Sequence, residues 1–132
     1  MDYVTDAHAL IWHALGRPRK LGRRARAAFE RAERGEATIH VPVIVLVEIG
    51  EAVRRGGVRF EGGFSRWLRL LTASGRFVAA DLSTAVVVEA QALYAIPERG
   101  DRLIAATAVA LGCALITRDP ACARIPALTT VW

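Results

Sequence analysis

Four acidic residues of this sequence stand within or beside apolar runs, where acids are not expected. They are Asp6, Glu48, Asp101 and Asp119. Glu48 interrupts the apolar run 43–49, and burying a carboxylate in such surroundings is costly unless it is paired or bound to a metal. Each acid also has an ordinary alternative. Asp6 and Asp101 could cap helices, Glu48 could lie on an exposed helical stripe, and Asp119 could belong to a turn before Pro120.

Four carboxylates favour metal chemistry if the fold brings them to one place. Carboxylates within a few ångströms of one another repel, and some take up protons unless a cation compensates their charge. Hard oxygen ligands of this kind suit magnesium or manganese. Such ions can ready a water for attack on a phosphodiester and stabilise the leaving oxygen. The sequence offers no credible Ser-His-Asp or Cys-His set, so the predicted reaction needs no protein nucleophile.

Short strands alternate with helices along the chain, and these elements must position the acids. A first strand begins near Val4 and stops near Asp6, and the other predicted strands are Thr38–Val41, Phe77–Ala80, Ala114–Thr117 and Thr129–Val131. The predicted helices are Ala7–Leu15, Leu21–Arg34, Pro42–Arg55, Phe64–Ala73, Ser83 to about Tyr94, and Asp101–Leu111. This alternation predicts an α/β fold, a three-layer sandwich around a central parallel sheet of four to five short strands.

The predicted sheet gives the acids a common location. In parallel sheets of this type, ligands bind beyond the carboxyl ends of the strands. Asp6 and Asp119 each follow a predicted strand. Glu48 lies in the helix after the second strand, and Asp101 starts the helix that leads into the strand before Asp119. If the strands that precede Asp6 and Asp119 are neighbours, all four acids can converge on one cleft.

Length and composition limit the class of protein. A chain of 132 residues with 53% hydrophobic residues has the size and composition of one globular domain, here 1–132. Its longest apolar run that avoids proline, 43–47, is far too short to span a bilayer, and Met1–Val4 does not resemble a signal peptide. Cys113 and Cys122 fit no metal-ligand spacing and no disulfide framework. We expect a cytoplasmic protein.

The net charge of +5 favours a polyanionic partner. Basic side chains crowd into one stretch, which we call the basic segment: Arg17, Arg19, Lys20, Arg23, Arg24 and Arg26. Its first five members are candidates for binding RNA phosphates, and a solvated helix face is the alternative. Trp12, Trp67 and Trp132 could stack on bases, although the spacing of Trp12 and Trp67 is typical of core positions.

Four segments carry a resemblance to a known family: Thr5–Trp12, Val47–Ile49, Gly100–Ala108 and Leu115–Asp119. In their order, spacing and total length they resemble the PIN-domain family, and most closely the VapC-like toxins of toxin–antitoxin pairs. The resemblance covers nearly the whole chain, and the third segment is the most specific. The chain departs from the family at Ala7 and Val43, where a small hydroxyl residue is common. Each departure removes a possible hydrogen bond near a metal ligand.

The resemblance implies a PIN fold and a metal-dependent endoribonuclease that is the toxin of a toxin–antitoxin pair. It assigns Asp6, Glu48, Asp101 and Asp119 to a magnesium or manganese site. It also matches Thr117 to a hydroxyl that orients a metal-bound water. The implied partners are the RNA substrate, a cognate antitoxin that blocks the site, and a second copy of the chain in a homodimer.

Other functions on a doubly wound sheet fit the sequence less well. A phosphoaspartate receiver needs a lysine after a late strand, and the single lysine of this chain is Lys20. A phosphatase similar to the haloacid dehalogenases has Asp-x-Asp at its first strand, where this chain has His8 as the third residue. A catalytically inactive PIN-fold module that binds nucleic acid or protein stays open as the alternative.

Overall fold

The computed structural model describes residues 1–132, and its strands and helices follow one another in the alternating order predicted. The strands are β1 (Asp2–Thr5), β2 (Thr38–Pro42), β3 (Phe77–Ala80), β4 (Ala114–Ile116) and β5 (Thr130–Val131). The helices are α1 (Ala7–Ala14), α2 (Arg23–Glu33), α3 (Val43–Arg54), α4 (Phe64–Ala73), α5 (Thr84–Ala90), α6 (Arg99–Leu111) and α7 (Pro120–Ala123), with a 3₁₀ turn at Pro18–Lys20.

All five strands form one parallel sheet in the order β3-β2-β1-β4-β5. The predicted α/β class and parallel sheet are therefore confirmed. β1 lies at the centre, and its last residue Thr5 pairs with Ile116, the last residue of β4. The residues that follow, Asp6 and Thr117, consequently emerge side by side at the carboxyl edge of the sheet.

The central strand is covered on both of its faces. Tyr3, Val4 and Thr5 are all buried although consecutive side chains of a strand point to opposite faces. Such burial requires helices on either side of the sheet, as in other parallel sheets. α1 and α6 pack against α3, and α5 packs along α6. None of the helices combines the length and the apolar character that crossing a membrane requires.

Several element boundaries differ from those predicted. α6 begins at Arg99, so that Asp101 lies within its first turn instead of capping it. The Arg102 guanidinium explains this early start, because it donates hydrogen bonds to the carbonyls of Ile96 and Pro97 and fixes the chain ahead of the helix. Pro42 ends β2 and precedes the first residue of α3 instead of lying in the first helical turn.

Two further differences concern helix ends, and a third is a helix that was not predicted. α2 begins at Arg23 because Gly22, with an extended backbone, stands before its first turn. α5 ends at Ala90, and the chain continues in tight turns that bury Leu93 and Ile96. The short helix α7 was not predicted, since four residues carry no readable periodicity.

Candidate active site

Asp6 is held from both sides at the carboxyl end of β1. It is the N-cap of α1, and its Oδ1 accepts a hydrogen bond of 2.8 Å from the Ala9 backbone N–H. Its Oδ2 accepts a hydrogen bond of 2.6 Å from the Thr117 hydroxyl. The capping alternative is thus correct in part, since the same carboxylate caps α1 and faces the end of β4.

Thr117 joins the two aspartates that follow neighbouring strands. Its side chain is buried, and while its hydroxyl donates to Asp6, its oxygen accepts the Asp119 backbone N–H at 3.2 Å. Asp119 in turn caps α7, because its Oδ1 accepts the Ala121 backbone N–H at 2.9 Å. Asp119 thus caps the turn that begins at Pro120, and one buried hydroxyl contacts both the Asp6 carboxylate and the Asp119 backbone.

Glu48 reaches the site from α3 through a gap that a glycine leaves open. A Cβ built on Gly100 would overlap the Glu48 carboxylate, so any larger residue here would displace this side chain from the first turn of α6. The next residue of α6 is Asp101. The closeness of α3 and α6 at this point brings the Glu48 and Asp101 side chains toward each other.

The electrostatics show that the acids act on one another. Burial raises the pKa of Asp6, and the charge of Asp119 raises it further, against the hydrogen bond from Thr117. Burial also raises the pKa of Asp101, with contributions from Asp119 and Asp6. The pKa of Glu48 is raised by burial and then by the charges of Asp101 and Asp6. Arginine, lysine and histidine side chains form no ion pair with any of the four acids.

A cavity of about 440 Å³ opens at this edge of the sheet. Its lining residues are Asp6, His8, Asp101, Arg118, Asp119, Pro120 and Trp132. Glu48 does not line the cavity, and its carboxylate lies instead against Gly100. A larger cavity of about 670 Å³ lies at the amino ends of β1 and β4, but Asp2 is its one acid and most of its lining is apolar. The smaller cavity is therefore the candidate active site.

The four acids fit a hard divalent cation by their chemistry. They offer carboxylate oxygens and an excess of negative charge, which magnesium and manganese prefer. As the side chains stand, no three of the acids, histidines or cysteines are close enough to hold one ion together. Both oxygens of Asp6 are already engaged by hydrogen bonds. Binding of an ion consequently requires the carboxylate side chains to move closer together around it.

The basic segment lies next to the cavity without contacting the acids. Arg17 and Arg24 donate backbone hydrogen bonds to the carbonyls of Trp12 and Trp132, at 2.9 and 3.1 Å. The side chains of Arg17, Arg19, Lys20, Arg23 and Arg24 are exposed, and none forms an ion pair. Arg26 is half-buried. The segment thus adjoins Trp12 and also Trp132, which lines the acidic cavity.

Sequence reasoning missed several residues of the site. Gly100 had one readable signal, because a glycine in the first turn of a helix is a poor helix former and indicates a close approach. Cys122 is buried, and its thiol lies 3.8 Å from Asp119 Oδ2. His8 was not among the predicted site residues, and its exposed side chain lines the cavity. Arg118 gave no signal, since nothing local distinguishes it from the other arginines.

Comparisons with solved structures agree with this fold. VapBC2 from Rickettsia felis, bound to a DNA fragment from their promoter, contains a chain with a TM-score of 0.75 and 22% identity, over 99% of this chain and 98% of that one. VapBC-1 from nontypeable Haemophilus influenzae gives a TM-score of 0.73 at 19% identity, over 99% and 97%. A toxin–antitoxin complex from Klebsiella pneumoniae gives 0.64 at 22% identity, over 98% and 96%.

The sequence itself carries the assignment to a family. No curated protein matches the chain. The family model of the PIN domain matches residues 3–128, a span that contains all four acids and every element from α1 to α7. Because this match covers nearly the whole chain, the protein belongs to the PIN domain family.

Proposed function

We propose that this protein is a metal-dependent endoribonuclease that hydrolyses RNA phosphodiester bonds. The observation that supports the proposal is that Asp6, Asp101 and Asp119 line one cavity at the carboxyl edge of the sheet, where Thr117 links Asp6 to Asp119. Asp6, Glu48, Asp101 and Asp119 are the proposed ligands of magnesium or manganese.

Bound there, the metal supplies a water that is more acidic than bulk water and stabilises the charge of the leaving oxygen. The chain's own residues position this chemistry. Thr117 holds Asp6 Oδ2 and the Asp119 backbone in a fixed relation, so that both carboxylates face the cavity. Glu48 and Asp101 bring negative charge from α3 and α6.

No side chain of the site is suited to act as a nucleophile. The Cys122 thiol is buried, and burial together with the charge of Asp119 raises its pKa to about 12. It is therefore protonated at neutral pH and inaccessible. Thr117 uses its hydroxyl proton to hold Asp6. Water is the remaining nucleophile, as hydrolysis requires.

The basic segment supplies the proposed RNA-binding surface. The segment contacts Trp132, which lines the cavity, and its exposed cations form no ion pair, so they can attract a phosphate backbone that the acids repel. Such contacts release counterions, so the affinity for RNA should fall with rising salt. We assign Arg17, Arg19, Lys20, Arg23 and Arg24 to this surface.

The proposed partners follow from the similar structures. Those proteins are VapBC complexes and a toxin–antitoxin complex, and the chain matches their chains over almost the full length. We propose that this protein is likewise the toxin of such a pair, with a cognate antitoxin as its partner, and that it forms a homodimer. Its proposed place of action is the cytoplasm, where its RNA substrate lies.

A catalytically inactive binding module is the second candidate. The observation in its favour is that no three of the acids are yet arranged to hold an ion. The two functions differ in their response to metal. A nuclease cuts RNA with magnesium or manganese and stops in EDTA, whereas a module binds RNA in all three conditions and leaves it intact.

The deciding experiment incubates purified protein with a mixed RNA pool in magnesium, in manganese and in EDTA. Asp101→Asn is tested in parallel, because it removes one carboxylate and conserves side-chain size. We expect metal-dependent cleavage by the wild type and none by the variant. Intact RNA under every metal, from folded protein free of antitoxin, would favour the binding module instead.

A further inference from the structure

Arg118 lies in the acidic cavity without pairing with an acid. It stands between Thr117 and Asp119 in the sequence, and it lines the cavity together with Asp6 and Asp101. Nevertheless its guanidinium forms no ion pair and no hydrogen bond with these carboxylates. The Arg118 side chain is therefore held by contacts with residues other than these acids.

Trp12 and Trp132 contact the Arg118 guanidinium. The guanidinium carbon of Arg118 lies 5.0 Å from the ring centroid of Trp12 and 5.8 Å from that of Trp132. The two indoles meet each other edge to face, with centroids 5.9 Å apart and planes inclined by 67°. A cation near the faces of two indoles is attracted by the negative charge of their π-systems.

This pair of indoles is itself fixed in place. The Trp132 carbonyl accepts a hydrogen bond of 3.1 Å from the Arg24 backbone N–H. A Cβ built on Gly22 would overlap the Trp132 backbone, so only a glycine permits the approach. Trp12 is half-buried and packs against the hydrophobic core. These two indoles, which we call the platform, are consequently positioned by contacts with the rest of the fold.

The contacts with Trp12 and Trp132 leave the N–H donors of the Arg118 guanidinium available. A cation–π contact uses none of the five N–H donors that a guanidinium carries in its plane. That fork matches the oxygens of a phosphate in bidentate geometry. Arg118 and His8 are the basic side chains among the residues that line the cavity. An anion that enters the cavity therefore meets Arg118 as its principal hydrogen-bond donor.

We propose that Arg118, seated on Trp12 and Trp132, binds a phosphate of the RNA strand at the mouth of the acidic cavity. This inference rests on the proposed ribonuclease function and adds a substrate-binding residue to it. Arg118 offsets the repulsion between the carboxylates and the RNA backbone, and it fixes the strand relative to the acids. Trp12 and Trp132 are positioning residues, because they act through Arg118.

The test measures RNA affinity separately from cleavage. Fluorescence anisotropy with a labelled single-stranded RNA of mixed sequence, in EDTA and at several salt concentrations, gives Kd and its salt dependence without any cutting. Arg118→Ala and Arg118→Lys are compared with Arg69→Ala, which removes an exposed arginine on α4. Thermal unfolding of each variant establishes that it is folded.

Loss of a charge-assisted, bidentate contact should raise Kd about 10-fold in Arg118→Ala. The slope of log Kd against log salt should fall by about 0.7, the value for one phosphate contact on a single strand. Arg118→Lys should keep the slope but not the full affinity, because lysine lacks the planar fork. Equal effects of Arg118→Ala and Arg69→Ala, or none from either, would overturn the proposal.

A double-mutant cycle tests the platform. Trp132→Leu should weaken RNA binding in the same direction as Arg118→Ala, and the double variant should be little worse than Arg118→Ala alone. Additive effects would contradict a role of Trp132 through Arg118. In cleavage assays, Arg118→Ala should raise KM with little change in kcat. A wild type that binds RNA through Arg118 but never cuts it would refute the nuclease function and leave this inference standing.

Discussion

The Thr117 hydroxyl donates a hydrogen bond of 2.6 Å to Asp6 Oδ2, although the two residues lie 111 positions apart in the sequence. The contact arises because β1 and β4 are neighbours that end in register, with Thr5 opposite Ile116. Since the Thr117 oxygen also accepts the Asp119 backbone N–H, the threonine is the structural link between two of the proposed metal ligands.

Thr117→Val should weaken metal binding and cleavage together. Valine has nearly the shape of threonine but cannot donate to Asp6, so the carboxylate loses the contact that orients it. Removing such a supporting hydrogen bond typically lowers metal affinity by about 10- to 100-fold. Calorimetric titration with manganese measures the affinity. Thr117→Ser, which retains the hydroxyl, is the control, and a valine variant with wild-type affinity would show that the link has no functional role.

Asp101→Asn should stabilise the metal-free fold while it abolishes cleavage. Burial and the charges of Asp119 and Asp6 raise the pKa of Asp101, and no ion pair with a basic side chain offsets this repulsion. Relief of this repulsion at a half-exposed side chain should raise the free energy of unfolding by up to about 1 kcal/mol. Thermal unfolding in EDTA checks the sign.

The same variant should lose most of the rise in Tm that magnesium gives the wild type, because a ligand that binds only the native state stabilises it. Glu61→Gln removes an exposed acid from a loop outside the cavity and serves as the control. A magnesium-dependent rise in Tm that is equal in Asp101→Asn and the wild type would place the metal elsewhere.

Gly100→Ala should reduce cleavage without unfolding the protein. The added methyl group would occupy the place of the Glu48 carboxylate and displace it. Alanine is otherwise the better helix former by about 1 kcal/mol, which offsets part of the steric cost. Single-turnover cleavage and Tm are measured together. Gly57→Ala, where a Cβ meets nothing closer than 3.6 Å, is the matched control. Unimpaired cleavage by Gly100→Ala would remove Glu48 from the proposed ligands.

Neutralising the basic segment should flatten the salt dependence of RNA binding. A triple variant with alanine at Arg19, Lys20 and Arg23 removes three exposed cations beside the cavity. The slope should fall by about 0.7 for each phosphate contact that is lost. The control removes the same charge from a second basic group, Arg54, Arg55 and Arg59. Identical slopes for the two triple variants would show that the basic segment is an ordinary solvated surface and not the RNA-binding surface.

The sequence was sufficient to predict the sheet and to predict that Asp6 and Asp119 lie at the same edge of it. Apolar runs that end in Asp6 and Asp119 mark strand ends, and parallel strands share one carboxyl edge. The convergence therefore followed from local pattern once β1 and β4 were taken as neighbours. The helix starts were less readable, because the position of Asp101 within α6 depends on the hydrogen bonds that Arg102 donates to the preceding loop.

Contacts between residues that are distant in the sequence could not be predicted from local sequence patterns. Gly22 admits the Trp132 backbone, and the two residues are separated by most of the chain. The contacts of the Arg118 guanidinium with the rings of Trp12 and Trp132 depend on this close packing of Gly22 against Trp132. A glycine before a helix and an arginine after a strand carry no signal of such packing. The spacing of Trp12 did indicate a structural role, and the structure adds that its ring supports a cation.

The most direct test of the central claim is the rate of RNA cleavage as a function of magnesium concentration, for the wild type and for single amide variants of Asp6, Glu48, Asp101 and Asp119. If these four acids hold the metal, every variant should lose at least about 100-fold in rate at saturating RNA, while Glu61→Gln matches the wild type. Cleavage that persists at the wild-type rate in any folded variant, or that is unaffected by EDTA, would contradict the assignment.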